Sequence, residues 1–370
     1  MKKITKHRLF WPVVALLSLI LLNAISRPSF LSITVRDGQL YGSLMDILRN
    51  SAPLMLVALG MTLVIATRGI DLSVGAIMAV AGAVALTIID GSGNPGDLGV
   101  VLSAILAAAV VATLLGVWNG FLVTVLGIQP IIATLVLMLA GRGLALLFTE
   151  GFITTVTSPP YKYMSQGYIA GFPFAVYVSI AAVAIVAIVE RRTALGMLTE
   201  AVGINPEASR LAGVRSRGII WGAYIASGLL AGFAGVLNSA NTMAADANAL
   251  GANIELYAIL AVVLGGTSLA GGKFSVAGTV IGVLTFQTLR ATINWLGVPK
   301  DVAPLFLALV VVIVVLVQSR RFRGWFTRLR RTPRSTTPTP PTAPSGTTPP
   351  SAGAPSTSTA PTTDRAEVAP

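Results

Sequence analysis

Long apolar runs separated by short polar stretches dominate this chain. Runs near 9–26, 44–67, 70–89, 98–126, 128–148, 173–190, 218–242, 254–271, 274–294 and 302–319 predict about ten membrane-spanning helices. A hydrocarbon layer about 30 Å thick needs roughly 20 apolar residues of helix, and most runs are near that length. They are continuous rather than alternating with a period of two, so helices fit them and the strands of a membrane barrel do not. The 98–126 run is long enough to be tilted or broken. The expected fold class is all-α, a polytopic membrane bundle of about ten transmembrane helices.

Composition closes off the alternatives. The 370 residues are 54% hydrophobic and only 11% charged, where a soluble domain carries about 25% charged residues. The net charge of +12 does not mark a nucleic-acid partner. Its cations cluster at Lys2, Lys3, Lys6 and Arg8, then across 191–217, then across 320–334. These are flanks of apolar runs, where positive charge sets orientation. With the amino terminus inside, ten crossings bring the carboxyl terminus back inside. The 191–217 loop, Arg68 and Lys273 then face the cytoplasm, while Asp37, Asp90, Asp97, Glu150, Asp246 and Asp301 lie outside or near it. A signal peptide over 9–22, cleaved near Ala24-Ile25-Ser26, is the weaker reading of the first run, because further spans follow a basic start.

The expected organisation is a basic cytoplasmic segment at 1–8, a transmembrane domain at 9–319, a basic flank at 320–331 and a tail at 332–370. The tail is almost wholly Pro, Thr, Ser, Ala and Gly, too poor in apolar groups to offset the entropy of ordering.

Polar groups inside the runs are the candidate chemistry. The stretch 61–78 sets Arg68, Asp71 and Ser73 between two apolar segments. An ionisable group there costs roughly 2.5–3.5 kcal/mol on insertion scales, so it faces protein or a water-filled path. Two readings stand: Asp71 or Ser73 caps the next helix and Arg68 pairs with Asp71, or the group touches a passing solute. Arg142, well inside the 128–148 run, either bonds within the bundle or donates to sugar hydroxyls or carbonyls. Asn119, Gln129, Asn238 and Asn241 either line a path or link helices. Gly116, Gly120, Gly228, Gly232, Gly235, Gly278 and Gly282 recur at spacings of three or four that let backbones approach in lipid.

The 191–217 loop carries its own signal. Asn205 suits a helix N-cap, Pro206 the first position, Glu207 the positive end and Gly213 the stop. Between them a helix of about seven residues, about 10 Å long, is predicted. So short a helix is marginal in water unless something packs on it. Ala208, Leu211 and Ala212 offer a small apolar face beside Arg210. A plain surface turn is one reading; a docking helix that enters a groove of a cytoplasmic partner is the sharper one.

Other chemistries lack their parts. Gly265–Phe274 looks like a phosphate loop, but Phe274 stands where Ser or Thr must meet magnesium. The chain has a single histidine, His7, and no cysteine, so neither a Ser-His-Asp triad nor a His/Cys metal site can be assembled. No metal site and no cofactor are expected in this chain.

Residues from about 44 to 322 resemble the permease subunits of bacterial ABC importers for monosaccharides, the ribose/xylose/galactofuranose class. The resemblance lies in Gly69-Ile-Asp-Leu-Ser-Val-Gly75, Gly116-Val-Trp-Asn-Gly120, Gln129-Pro130 with Ala133-Thr-Leu135, and Gly141-Arg-Gly-Leu144. It continues in Glu200-Ala-Val-Gly-Ile-Asn205 and in Ala261-Val-Val-Leu-Gly-Gly-Thr-Ser268 with Gly271-Gly272. Galactofuranose permeases are most similar, through Asp37–Ser43, Ala194-Leu-Gly-Met197, and Ala245-Asp-Ala-Asn248 followed by Glu255-Leu256. Arg68 and Tyr257 depart from that subgroup, where Gly and Asp are usual, so the sugar itself stays open.

The resemblance implies two permease subunits, this one and a second copy or a paralogue, forming the membrane core. An ABC ATP-binding subunit carrying ATP and Mg would sit below it, and an extracytoplasmic sugar-binding protein would deliver the monosaccharide. The location implied is the bacterial cytoplasmic membrane, among its lipids, with both termini cytoplasmic. Asp246 and Glu255 join Asp71, Ser73, Asn119, Gln129, Arg142, Asn238 and Asn241 as expected substrate-path residues. Glu200, Gly203, Asn205, Pro206, Ala208, Arg210, Leu211 and Gly213 would couple to the ATPase. The competing class is an ion-coupled secondary transporter of a small polar solute, in which broken helices and midplane ion sites replace a docking loop.

Overall fold

The apolar runs become helices in a computed structural model that describes residues 9–299 and single positions between 302 and 312. The expected tenth span is thus described only at scattered positions, and the 1–8 segment, the basic flank and the tail lie outside the described residues. Among the described residues, α2 (Ser43–Ala66), α4 (Leu98–Thr124), α5 (Pro130–Phe148), α7 (Phe174–Arg192), α10 (Ser216–Thr242) and α12 (Val276–Trp295) are long and apolar enough to cross a membrane.

Three further runs form shorter helices: α1 (Phe10–Ser26), α3 (Val74–Asp90) and α11 (Ile254–Leu264). The last corrects the expected 254–271 span. At 1.5 Å per residue its 11 residues reach about 16 Å, roughly half the hydrocarbon layer. It stops because Gly266, Gly271 and Gly272 all take left-handed backbone, which a helix cannot continue through. The long 98–126 run is not broken; α4 is continuous over 27 residues, capped by Asp97 accepting from Gly99 N–H at 3.2 Å.

Helix α10 is the hub of the bundle, packing on α4, α2 and α3. Lipid supplies no hydrophobic drive between helices, so close van der Waals contact must hold them. Gly116 of α4 and Gly228 of α10 make that contact possible. A Cβ on Gly116 would lie 2.6 Å from the Tyr224 carbonyl oxygen, and one on Gly228 would lie 2.6 Å from that of Ala112. The outer faces of α4, α5 and α7 expose Leu102, Leu106, Leu139, Ile180 and Ile185. Apolar side chains there match the lipid that must surround them.

Polar structure gathers at the two ends. One end carries the Thr67–Ser73 turn, the 265–275 loop and the short helices α8 (Ala194–Ile204) and α9 (Pro206–Leu211). The other carries three two-stranded antiparallel ribbons and α6 (Pro159–Gln166). In the ribbons, β1 (Thr34–Arg36) pairs with β2 (Gln39–Tyr41), β3 (Thr154–Thr155) with β6 (Ala244–Ala245), and β4 (Tyr168–Ile169) with β5 (Phe172–Pro173). The β3–β6 pair joins the connection after α5 to the connection after α10.

Candidate functional site

A cavity of about 310 Å³ opens at the ribbon end of the bundle. Asn238 and Asn241, three residues apart on α10, line it together with Arg49 and Asn50 of α2. The rest of the lining was not anticipated. It includes Gln287, Arg290 and Asn294 of α12 with Tyr257 of α11. Their signal was legible: positions 287, 290 and 294 repeat at i, i+3 and i+7, a polar stripe on one face of an otherwise apolar helix. Arg49 is held by Asp46 at 3.2 Å. The Arg290 guanidinium carbon sits 5.7 Å from the centre of the Tyr257 ring, which leans on Phe286 at 5.1 Å. A neighbouring cleft of about 280 Å³ shares Arg49, Asn50, Gln287 and Asn294, so the polar region extends along α12.

Asp71 organises a second polar centre nearer the α9 end, and it is buried. Its Oδ1 accepts from the Ser73 backbone N–H at 3.0 Å and from the Ser73 hydroxyl at 2.6 Å, while Oδ2 accepts from the Ser227 hydroxyl at 2.8 Å. Asn119 Nδ2 donates to Ser73 Oγ at 2.7 Å. Four side chains thereby tie the start of α3 to α4 and α10. Asp71 supports the entry to α3, as expected of a cap, although Ser73 itself makes no capping bond. The expected Arg68–Asp71 pair does not form. Arg68 takes left-handed backbone (φ 66°), which turns its side chain to the end of α8, where it donates to the Ile204 carbonyl.

Arg142, Asp246 and Glu255 form a third group. Arg142 donates to the carbonyls of Ala247 and Leu250 at 2.7 and 2.6 Å, fastening α5 to the connection before α11. It therefore bonds within the bundle. Asp246 accepts from the amides of Asn248 and Ala249, closing the turn that presents those carbonyls. Glu255 is buried in the first turn of α11, with Oε2 lacking a hydrogen-bond partner. Glycine at position 75 leaves it room, since a Cβ there would sit 2.5 Å from that oxygen and 3.5 Å from the Arg142 guanidinium. Gln129 joins none of these groups; it precedes α5 and is exposed.

The α8–α9 segment forms as its residues predict. Asn205 Oδ1 accepts from the amides of Glu207 and Ala208 at 3.1 and 3.0 Å, Pro206 begins α9, and the chain leaves through Gly213 at φ 85°. The helix has six residues, close to the seven expected. Glu207 and Arg210 pair across one turn, and Arg210 lowers the Glu207 carboxyl below its ordinary range. Leu211 is 78% exposed, an apolar side chain turned to solvent on a helix too short to stand alone. Behind it the segment is anchored to the bundle. Gly203 is buried against Ala66 and Gly272, and Gly272 N–H donates to the Ala66 carbonyl at 2.9 Å. Movement of α8 must thus be felt at the ends of α2 and of the 265–275 loop.

A polar cavity at one end and, at the other, an anchored helix that exposes Leu211 are what a transport subunit driven from outside would require. Residues 43–315 match the family described as branched-chain amino acid transport system / permease component. The chain belongs to this permease family. The permease is 44% identical over 324 residues to the galactofuranose transporter permease YtfT of Escherichia coli K12, covering 86% of this chain and 93% of that protein. It is 41% identical over 336 residues to the fructose import permease FruF of Bifidobacterium longum, covering 89% and 93%. It is 36% identical over 313 residues to the ribose import permease RbsC of Escherichia coli K12, covering 84% and 93%. No solved structure matches the permease. It is a multi-pass membrane protein and a transport component, not an enzyme.

Proposed function

We propose that this permease forms half of the membrane core of an ATP-driven monosaccharide importer, with galactofuranose or a related sugar as cargo. The observation that carries the reading is agreement among relatives: three sugar-transport permeases of different specificity each align over 93% of their length. The polar cavity agrees with it, because an aliphatic amino-acid side chain calls for apolar walls.

In this reading the ribbon end faces outward and receives sugar from an extracytoplasmic binding protein. The α9 end faces the cytoplasm, as its cations favour. Asn238 and Asn241 line the outer mouth of the path. The Asp71–Ser73–Asn119 centre and the Arg142–Asp246–Glu255 group bound it deeper in the bundle, and Gln129 lies at its edge. Exposed Leu211 and Ala208 enter a groove of an ATPase subunit that carries ATP and Mg. A second permease, identical or paralogous, completes the core. Both chain termini are cytoplasmic in a bacterial plasma membrane.

The coupling argument is physical. An ATPase can shift the permease between two states only by contacting them differently. Leu211 supplies the contact, and Gly203, Gly272 and Arg68 carry its displacement into α2 and the 265–275 loop. Uptake into vesicles holding the permease, its ATPase and its binding protein should require ATP and stop with vanadate. Concentrative uptake by permease alone, abolished by an ionophore, would instead establish an ion-coupled transporter.

A further inference from the structure

The outer cavity holds two arginines in different situations. Arg49 is occupied, its guanidinium 3.2 Å from the Asp46 carboxylate one turn away. Arg290 has no carboxylate within 4.0 Å among the described residues. It is an exposed residue at the cavity wall, lying over the Tyr257 ring at 5.7 Å. Tyr257 is braced in turn by Phe286, at 5.1 Å and a tilt of 35°. At that distance the ring face attracts the cation without taking up its N–H donors. Those donors form a fork, spaced for two neighbouring oxygen acceptors.

The other walls decide which acceptors fit. Asn238 and Asn241 of α10 and Gln287 of α12 are amides, each offering donors and an acceptor. A sugar hydroxyl both donates and accepts, so a ring bearing adjacent hydroxyls can satisfy the fork and the amides together. A carboxylate only accepts and would leave the amide carbonyls without donors.

We propose that Arg290 is the residue that discriminates between sugars in this cavity, reading an adjacent pair of hydroxyls on a neutral ring, and that Tyr257 positions it. The proposal rests on the sugar-import reading above. Arg290 is the contact residue, and Tyr257 acts through it by drawing the guanidinium over its ring face.

The test uses vesicles containing the permease with its ATPase and the same binding protein for parent and variant, so that selection by the binding protein cancels when their uptake ratios are compared. The probes are D-galactose, D-fructose, D-ribose and D-galacturonate, each measured for ATP-driven uptake. Arg290→Lys keeps the charge and removes the fork. It is expected to change the ratio of uptake between the best and the worst neutral sugar by about tenfold, the loss of one charge-assisted bond. A ratio cancels any difference in how much protein inserts. Tyr257→Ala is expected to shift the ratio in the same direction, and Tyr257→Phe, which keeps the ring, to leave it within about twofold.

An unchanged ratio in Arg290→Lys overturns the assignment. A Tyr257→Phe shift as large as that of Tyr257→Ala overturns the positioning role, because the phenol oxygen and not the ring face would then matter. Preferential uptake of galacturonate overturns the neutral-ring assignment. Failure of the unsubstituted assembly to take up any probe with ATP present would instead remove the sugar-import reading itself.

Discussion

The guanidinium of Arg68 donates to the backbone carbonyl of Ile204, the last residue of α8. One side chain thereby bridges the C-terminal end of α2 and the segment that presents α9. Its backbone is left-handed at φ 66°, a conformation that costs a non-glycine residue about 1–2 kcal/mol. The bridge exists in spite of that strain. Arg68→Ala keeps the strain and loses the bond, so the permease should lose about 1 kcal/mol of stability. Arg68→Gly loses the bond and relieves the strain, so its stability should equal the parent's or exceed it by up to about 1 kcal/mol. Thermal unfolding of both variants in detergent would check this, and equal losses in the two would refute the strain argument.

Leu211 is the second test of the α9 end. It is exposed and bonds to nothing in the bundle that would be lost on substitution. Leu211→Asp should insert and fold normally, yet in the proposed assembly the ATPase subunit should hydrolyse ATP without matching uptake. Normal uptake at normal expression would exclude Leu211 from the coupling contact.

Asp71 is a structural demand rather than an exposed one. Asp71→Ala would strip Ser73 and Ser227 of their buried acceptor, with an expected loss of about 2–3 kcal/mol. A double-mutant cycle of Asp71→Ala with Ser227→Ala should give a coupling of about 1 kcal/mol, because the two share one bond. Additive losses within about 0.3 kcal/mol would mean the 2.8 Å contact carries no energy of its own.

The cap of α9 can be read by hydrogen exchange. Asn205→Ala removes the acceptor for the Glu207 and Ala208 amides and should cost about 1 kcal/mol locally. Protection of those amides should fall about fivefold while the transmembrane helices stay protected.

Acid should weaken the same helix. Arg210 lowers the folded-state pKa of Glu207, so the pair's support is complete above the ordinary glutamate value of about 4.3 and is lost as pH falls through the lowered folded value. Protection factors in α9 should decline in that acid window. In Glu207→Gln they should stay flat with pH and lie below the parent's neutral-pH level; a parallel acid decline in that variant would assign the effect to another group.

Much of this architecture was legible in the residues because its causes are local. Apolar length marks the spans, since lipid forces each backbone to satisfy itself within a helix. Asn205, Pro206 and Gly213 marked α9, since a cap, a fixed φ and a left-handed stop act within one turn. The small-residue spacings marked the contacts, and Gly116 against Gly228 is one of them. Asn238 and Asn241 reached the cavity because an amide pair one turn apart in an apolar helix has few other places to go.

Other features depend on what folding brings together. Arg68 sits three residues from Asp71, yet it bonds to a residue far along the chain, because a left-handed turn aims it away. The 254–271 run is apolar enough for a span, but glycines that could equally pack in a helix take left-handed angles and end α11 after 11 residues. Asp46, one turn from Arg49, is a local partner that the sequence offered; the Tyr257 ring beside Arg290 comes from another helix and was set by packing. Spans, caps and small-residue seams follow from neighbours a turn away, so the sequence determined them. The partners of each polar side chain depend on which helices meet and at what depth, and that was decided by the packing of α10 against α2, α3 and α4.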